Sequence, residues 1–354
     1  MNHPSPPQLE IQRLRDSVQT NCHISDARFA SDYTLCVYLL KMREYFRWEK
    51  GMNFGEPLAN DAVGDWLSER ERYWESLETS DFTPLHVNGD LFDPFQTDAI
   101  NNTLLPAGLI YSAGYGAKSK PLFFLAELEN TLEADGFRIH IAARELARDL
   151  AAPPAMSLGD SIFVRRESLR RMIWEKLEEW RWNKLDNALG RAVRCYDFDG
   201  DLYSALDRMT DDEIETLVLH EIGEVRAGEL LGTQWHTLLA SFPRSRVELM
   251  ARAVRDHLAD ALSTLPTLLE RRQTASVHFY FANLSGMRKA IYPGLMETYD
   301  HWVRTGDIAP MQTQAEAGRE HWLSLARKIL SVHEDAPEDT GHGAIEALIE
   351  AAHL

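Results

Sequence analysis

The chain has 354 residues, 44% hydrophobic and 26% charged, a globular composition long enough to bury two cores. A formal charge of −18 argues against nucleic acid or an anionic membrane surface as partner, since both are held by clustered Lys and Arg. Cys22, Cys36 and Cys195 lie far apart with no CxxC pair, which argues against a disulfide framework or a thiolate zinc site and fits a reducing cytoplasm.

The opening "MNHPSPPQLE" lacks the basic start and apolar run of a signal peptide, and no run of about 18 apolar residues follows, so neither export nor a membrane span is expected. Leu35, Tyr38, Leu39, Met42 and Phe46 recur at helical spacing, predicting a helix from a cap at Ser31 or Asp32 to a stop at Gly51. A second helix is predicted from Asp61 to Leu77, with Val63, Trp66, Leu67 and Trp74 inward and a charged face to solvent. The stretch "GLIYSAGYGAKSKPLFFLAELENTLEADGFRIHIAA" then changes period. Two apolar stretches flank a Gly and Lys turn, and the alternating "FRIHIA" follows "EADG", which predicts a three-stranded antiparallel meander over about 108–142. "GYGAKSK" lacks the ending of a phosphate loop and precedes a strand, so it reads as a hairpin turn.

The paired prolines of "LAAPPAMSLGD" mark a boundary, giving an N-terminal α+β region, 1–155, and a helical domain, 156–354. Helices are predicted over "RRESLRRMIWEKLEEWRWNKLDNALGRAV", Thr210 to Leu231, Arg246 to Leu265 with Pro266 as a stop, Leu284 to Val303 interrupted near Pro293, Gln314 to Val332, and a short one around Ile345. "DFDGDLYSALD" departs from a calcium loop at Gly200 and lacks the glutamate at its twelfth position, so it reads as a capped turn opening the helix of Leu202. The fold class is mainly α with a small three-stranded antiparallel β-sheet, and the C-terminal half is bundle-like.

Chemistry concentrates in "TLVLHEIGEVRAGELLG", residues 216–232. On a helical wheel Ile214, Leu217, Val218, Val225 and Gly228 form one stripe with Glu221 in its middle, and a carboxylate there needs a partner. His220 and Glu224, four residues apart, stack along the stripe's flank. The pair suits a divalent cation, with Glu221 as general base toward metal-bound water. On the next long helix His257 borders the stripe of Val247, Met250, Val254 and Leu258, with Asp260 one turn on. Antiparallel packing would bring His257 in as third ligand, a set that suits zinc or a non-haem Fe(II) centre. Glu179, Asp260 and Glu49 are further candidate carboxylates. Their other reading is ordinary pairing with neighbouring Lys or Arg, such as Arg43 and Arg47 beside Glu49.

"SVHFYFANLSGMRKAIYPG" supplies a possible ligand pocket in His278, Tyr280 and Arg288, or else an aromatic core segment ending in a helix cap. The metal reading also has a competitor. His220 and Glu221 can belong to a buried polar network, Glu221 facing Arg226 or Arg255, in a non-enzymatic helical binding or assembly protein that exposes an apolar patch elsewhere.

Residues 218–224 resemble the metal-binding helix of zinc peptidases, His-Glu-x-x-His, except that Glu224 stands at the second histidine. The stretches "YTLCVYLLKMREYFRWE", "AAPPAM", "IFVRRESLRRMIWEKLEEWRWNK", "LHEIGEVRAGELLG" and "HFYFANLSGMRKA" together resemble an uncharacterised family of bacterial proteins from about residue 30 to 305. That resemblance implies a cytoplasmic bacterial protein and supplies no activity. The residues themselves set up a metal-dependent enzyme holding zinc or iron, most directly a hydrolase of a small molecule or peptide. A non-haem Fe(II) oxidoreductase would use the same ligands, and the helical binding protein is the alternative from another class.

Overall fold

The structure, a computed structural model, describes residues 8–116, 119–243, 245–335 and 338–354. The reading of the first seven residues, and Ala117 and Lys118 of the hairpin turn, lie outside the described residues. The chain divides into two compact units, Met1–Trp174 and Glu175–Leu354.

In the first unit, α1 (Gln8–Phe29) precedes α2 (Leu35–Glu49) and α3 (Asn60–Leu77). Helix α2 stops where expected, with Gly51 at φ +63°, but it starts at Leu35 because Ala30–Asp32 form a separate 3-10 turn. A small hairpin, β1 (Leu85–Val87) with β2 (Asp90–Phe92), leads to α4 (Thr97–Leu104). The meander is present as β3 (Leu109–Tyr115), β4 (Pro121–Ala134) and β5 (Phe137–Arg148), paired antiparallel in succession.

The sheet does not end there, which corrects the expected three strands. β7 (Ser161–Arg165) lies parallel to β5, and β6 (Ala155–Leu158) pairs antiparallel with β7, giving a five-stranded mixed sheet in the order β3-β4-β5-β7-β6. "SIFVR" is buried throughout, so it carries no alternation to distinguish a strand from the start of a helix. The same burial explains the apolar runs of β3 and β4. Ile110, Phe124, Ala126 and Phe163 form a cluster distinct from that of Tyr111, Phe123 and Leu125, which pack with Leu14, Val18 and Cys22 of α1.

Helix α5 (Arg166–Asn183) leads into the second unit. It ends before the expected 193, because Lys184 takes φ +45° and a separate α6 (Ala188–Val193) follows. Helix α7 (Leu202–Ser241) opens as predicted on a capped turn, the Asp201 side chain accepting from the Ser204 N–H, and breaks direction at Gly232, φ +67°. Helix α8 (Arg246–Ala259) runs into a π-turn, Asp260–Thr264, and on into α9 (Leu265–Arg271). Pro266 is therefore no stop. The Leu265 N–H bonds the Asp260 carbonyl in the wider π spacing, and Pro266 falls in the first turn of α9, where its missing N–H costs nothing.

The chain then forms α10 (Thr274–Asn283), α11 (Gly286–Ile291), α12 (Pro293–Thr305), α13 (Ala309–Asp335) and α14 (Glu338–Glu350). One core, including Trp235, Met250, Leu258, Phe281, Tyr299 and Trp322, joins these helices. Among the described residues no helix is long and apolar enough to cross a membrane.

Candidate functional site: the His220–Asp260 cluster

Small residues set the geometry. A Cβ on Gly223 would lie 2.8 Å from the carbonyl carbon of Ala259 and closer still to its oxygen, so only glycine lets α7 approach the end of α8 so closely. One turn before Gly223 stands His220, and just after Ala259 the π-turn begins with Asp260. His220 Nδ1 lies 3.3 Å from Asp260 Oδ1. Gly223→Ala is expected to cost about 1–3 kcal/mol as an overpacked contact. It should also lower the His220 pKa by separating the pair, read by chemical denaturation and by NMR titration of the ring.

Asp260 is buried and gathers more than the histidine. Tyr280 donates its hydroxyl to Asp260 Oδ2 at 2.8 Å, and Arg288 Nη2 donates to the same oxygen while lying 3.4 Å from the Tyr280 hydroxyl. Burial disfavours the ionised carboxylate, but the charges of Arg288 and His220 and their hydrogen bonds outweigh it and hold Asp260 below the usual range. Burial likewise opposes a proton on His220. The hydrogen bond and charge of Asp260, with Glu224 and Glu221, nonetheless raise its pKa to about 9. His220 is thus an imidazolium at neutral pH, oriented through Nδ1 by a carboxylate. Its Nε2 has no hydrogen-bond partner among the described residues, and its side chain is 35% exposed. Such a group can donate a proton or contact an anion. Asp256, one turn before Asp260, is raised to about 6 by burial, then by Glu224 and Asp260, against the pull of Arg288 and His220.

The other expected ligands face elsewhere. Glu224 accepts an ion pair from Arg255 at 2.6 Å. His257 donates through Nε2 to the Arg288 carbonyl at 2.9 Å and stacks on Trp322 at 4.9 Å, while burial and the Arg288 charge lower its pKa to about 3. His220, Glu224 and His257 are therefore not drawn to one point, and among the described residues no three His, Cys, Asp or Glu side chains come together as metal ligands would. Glu179 is exposed on α5. Glu49 lies in the first unit, where Trp66 Nε1 donates to Oε1 at 3.0 Å and Arg70 pairs with Oε2. The aromatic segment is split: Tyr280 and Arg288 join Asp260, whereas His278 bonds the Tyr299 hydroxyl at 3.0 Å and packs on Trp302.

The wheel's apolar stripe is not the one that packs. Ala205, Met209, Glu213, Gly223, Ala227 and Leu231 are the buried line of α7, while Ile214, Leu217, Val218 and Glu221 are half-buried. The acid inside the helix packing is Glu213, 1% exposed, which sequence reasoning passed over. Its signal was the small residues on the same line of the helix, Ala205 about two turns before and Gly223 and Ala227 about three and four turns on, since close helix approach follows Gly and Ala more than Leu.

Fold and cluster define a class: a two-unit, mainly helical protein with a mixed sheet in the first unit and a buried His–Asp–Tyr–Arg centre in the second. The chain belongs to the family of unknown function (DUF6866), matching its N-terminal domain over residues 13–165 and its C-terminal domain over 170–352. No curated protein and no solved structure matches it. The resemblance to an uncharacterised family thus holds along nearly the whole chain, and the zincin likeness of residues 218–224 has no counterpart in these matches.

Proposed function

We propose that this chain is a non-enzymatic helical protein that binds or assembles with a partner protein, the His220–Asp260 cluster serving to hold α7 against the π-turn. The observation that carries the reading is the first half of α2. There Leu35, Val37, Leu39 and Leu40 are 70%, 42%, 45% and 57% exposed within six positions. Burying such a side chain is worth about 1.5–3 kcal/mol, and apolar residues exposed this close together, with Leu35 and Leu39 one turn apart on one face, favour an interaction surface. The charge of −18 favours a partner whose apolar face is rimmed by basic residues. The reading also fits the engagement of His220, Glu224 and His257 by Asp260, Arg255 and a backbone carbonyl, so that among the described residues these three do not converge as metal ligands would.

The test is cross-linked purification of the chain from cells that make it, comparing the native protein with Leu35→Ser/Leu39→Ser/Leu40→Ser, alongside metal analysis. A protein recovered in near-equal amount with the native chain, and about tenfold less with the triple variant, is expected. About one equivalent of zinc or iron, lost in His220→Ala/Glu224→Ala, would overturn the reading and restore the metal-dependent enzyme.

A further inference from the structure

The first unit holds a cleft of about 360 Å³ whose lining includes Arg15 of α1, Trp48 and Glu49 of α2, Glu145 and Leu146 of β5, and Glu167 of α5. Two of its acids share a neighbourhood, and their surroundings treat them oppositely. Glu145 is buried, yet it reaches the cleft. Arg165 donates from Nε to Oε1 at 3.0 Å and pairs through Nη2 with Oε2 at 3.0 Å, Ser168 donates to Oε1, and Arg148 stands 3.9 Å from Oε2. Burial works against its charge, but Arg165 and Arg148 prevail and keep it ionised.

Glu167 has weaker support, since Arg148 and Arg165 act on it only through space. Its Oε2 accepts the Glu145 backbone N–H at 2.7 Å, and among the described residues its Oε1 has only Arg171, at 3.5 Å. Burial, then the charge of Glu145, raises its pKa to about 7. Most other charges on the cleft are already matched: Glu49 by Arg70, and Arg144 by Glu127. Arg15 is exposed and has no ion pair among the described residues. What the cleft offers a ligand is therefore one under-neutralised carboxyl, one free guanidinium, and apolar wall from Trp48 and Leu146.

We propose that this cleft binds a free α-amino acid with an apolar side chain, its ammonium set against Glu167, its carboxylate against Arg15, and its side chain along Trp48 and Leu146. The complement is specific because each half of a zwitterion meets the group on the cleft that the protein neutralises least, and a cleft of this volume suits a small molecule. An ammonium ligand favours ionised Glu167. Binding should therefore tighten about tenfold from pH 6 to pH 8, as the acid ionises through about 7 in the field of Glu145, Arg148, Arg165, Arg171, Glu49 and Arg15.

The experiment is ligand-observed NMR and calorimetry on the full chain with three probes: L-phenylalanine, phenethylamine, which lacks the carboxylate, and 3-phenylpropionate, which lacks the ammonium. Phenylalanine is expected to bind about tenfold or more tightly than either half. Glu167→Gln should bring it down to the level of phenylpropionate, and Arg15→Gln to that of phenethylamine. Arg15 is exposed, so its variant tests the site without endangering the fold. Equal binding of the three probes, phenylalanine affinity unchanged in Arg15→Gln, or no saturable binding of any probe would overturn the proposal.

Discussion

Asp260→Asn is expected to lower the stability of the second unit by about 3–5 kcal/mol, because it removes one partner from a buried ion pair and leaves the other charged. Asp260 is 2% exposed and Arg288 12%, so the guanidinium cannot recover its hydration where it stands. Asparagine keeps the shape and one carbonyl acceptor, so the loss measures charge and not volume. Tyr280→Phe, which deletes one hydroxyl donor to the same oxygen, should cost only about 1 kcal/mol.

The pH dependence separates this role from simple packing. His220 is raised in the folded state from 6.5 to about 9, so the stability it contributes is complete below 6.5 and is lost as pH rises through 9. Unscreened, that rise would be worth about 3 kcal/mol, but the side chain is a third exposed, and screening reduces the expected loss to about 1–2 kcal/mol. Asp260 is depressed, so its contribution is complete above the ordinary carboxylate range and lost only in acid. In Asp260→Asn the alkaline decline should flatten, and the His220 resonance should titrate well below 9. Urea denaturation at several pH values with NMR titration reads both. A loss under about 1 kcal/mol with an unchanged His220 titration would mean that the cluster does not hold these helices together.

Much of this centre was legible residue by residue, though not as a centre. His220, Asp260, Tyr280 and Arg288 each stood out, but periodicity gives the face of a helix and not what lies across it. The pairing of positions 220 and 260 depends on Gly223 and on the π-turn, and the π-turn is invisible to a 3.6-residue pattern. Amphipathic spacing is local information, so it reveals helices such as α2, α3 and α13 without their partners, and it passed over α1, α4 and α10 altogether. The wheel of α7 went wrong through weighting, since Leu217 and Val218 count for more on any hydrophobicity scale than Gly223 and Ala227, which make the close contact. In the first unit the meander's turns were explicit in "GYGAKSK" and "EADG", whereas β6 and β7 lay behind the paired prolines, where a short buried run has no period to read. Glu145 and Glu167 were missed together. The first sits in the charged end of a strand that continues to Arg148, the second in the first turn of a helix, where an acid is ordinary.

Glu213→Gln is expected to make the protein more stable at pH 8 and nearly unchanged at pH 4. Neither oxygen of Glu213 has a hydrogen bond of normal geometry among the described residues. Burial raises its pKa from 4.5 to about 7, with the Ser276 and Thr216 hydroxyls pulling the other way and Asp212 adding to the rise. A raised acid reverses the behaviour of Asp260. The folded state keeps the proton that the unfolded chain gives up, so stability is complete below 4.5, falls as pH climbs through 7, and then levels. That rise in pKa corresponds to a loss of about 3 kcal/mol. Glutamine fills the same space without a charge to desolvate, so that loss should vanish from its pH profile. Asp256 and Glu167 titrate in the same interval, and the difference between native and variant urea midpoints cancels their shared contribution. If Glu213→Gln is no more stable than the native chain at pH 8, then α7 and α10 accommodate an ionised Glu213 through water or a counter-charge. The cost assigned to the buried line of α7 would then be absent.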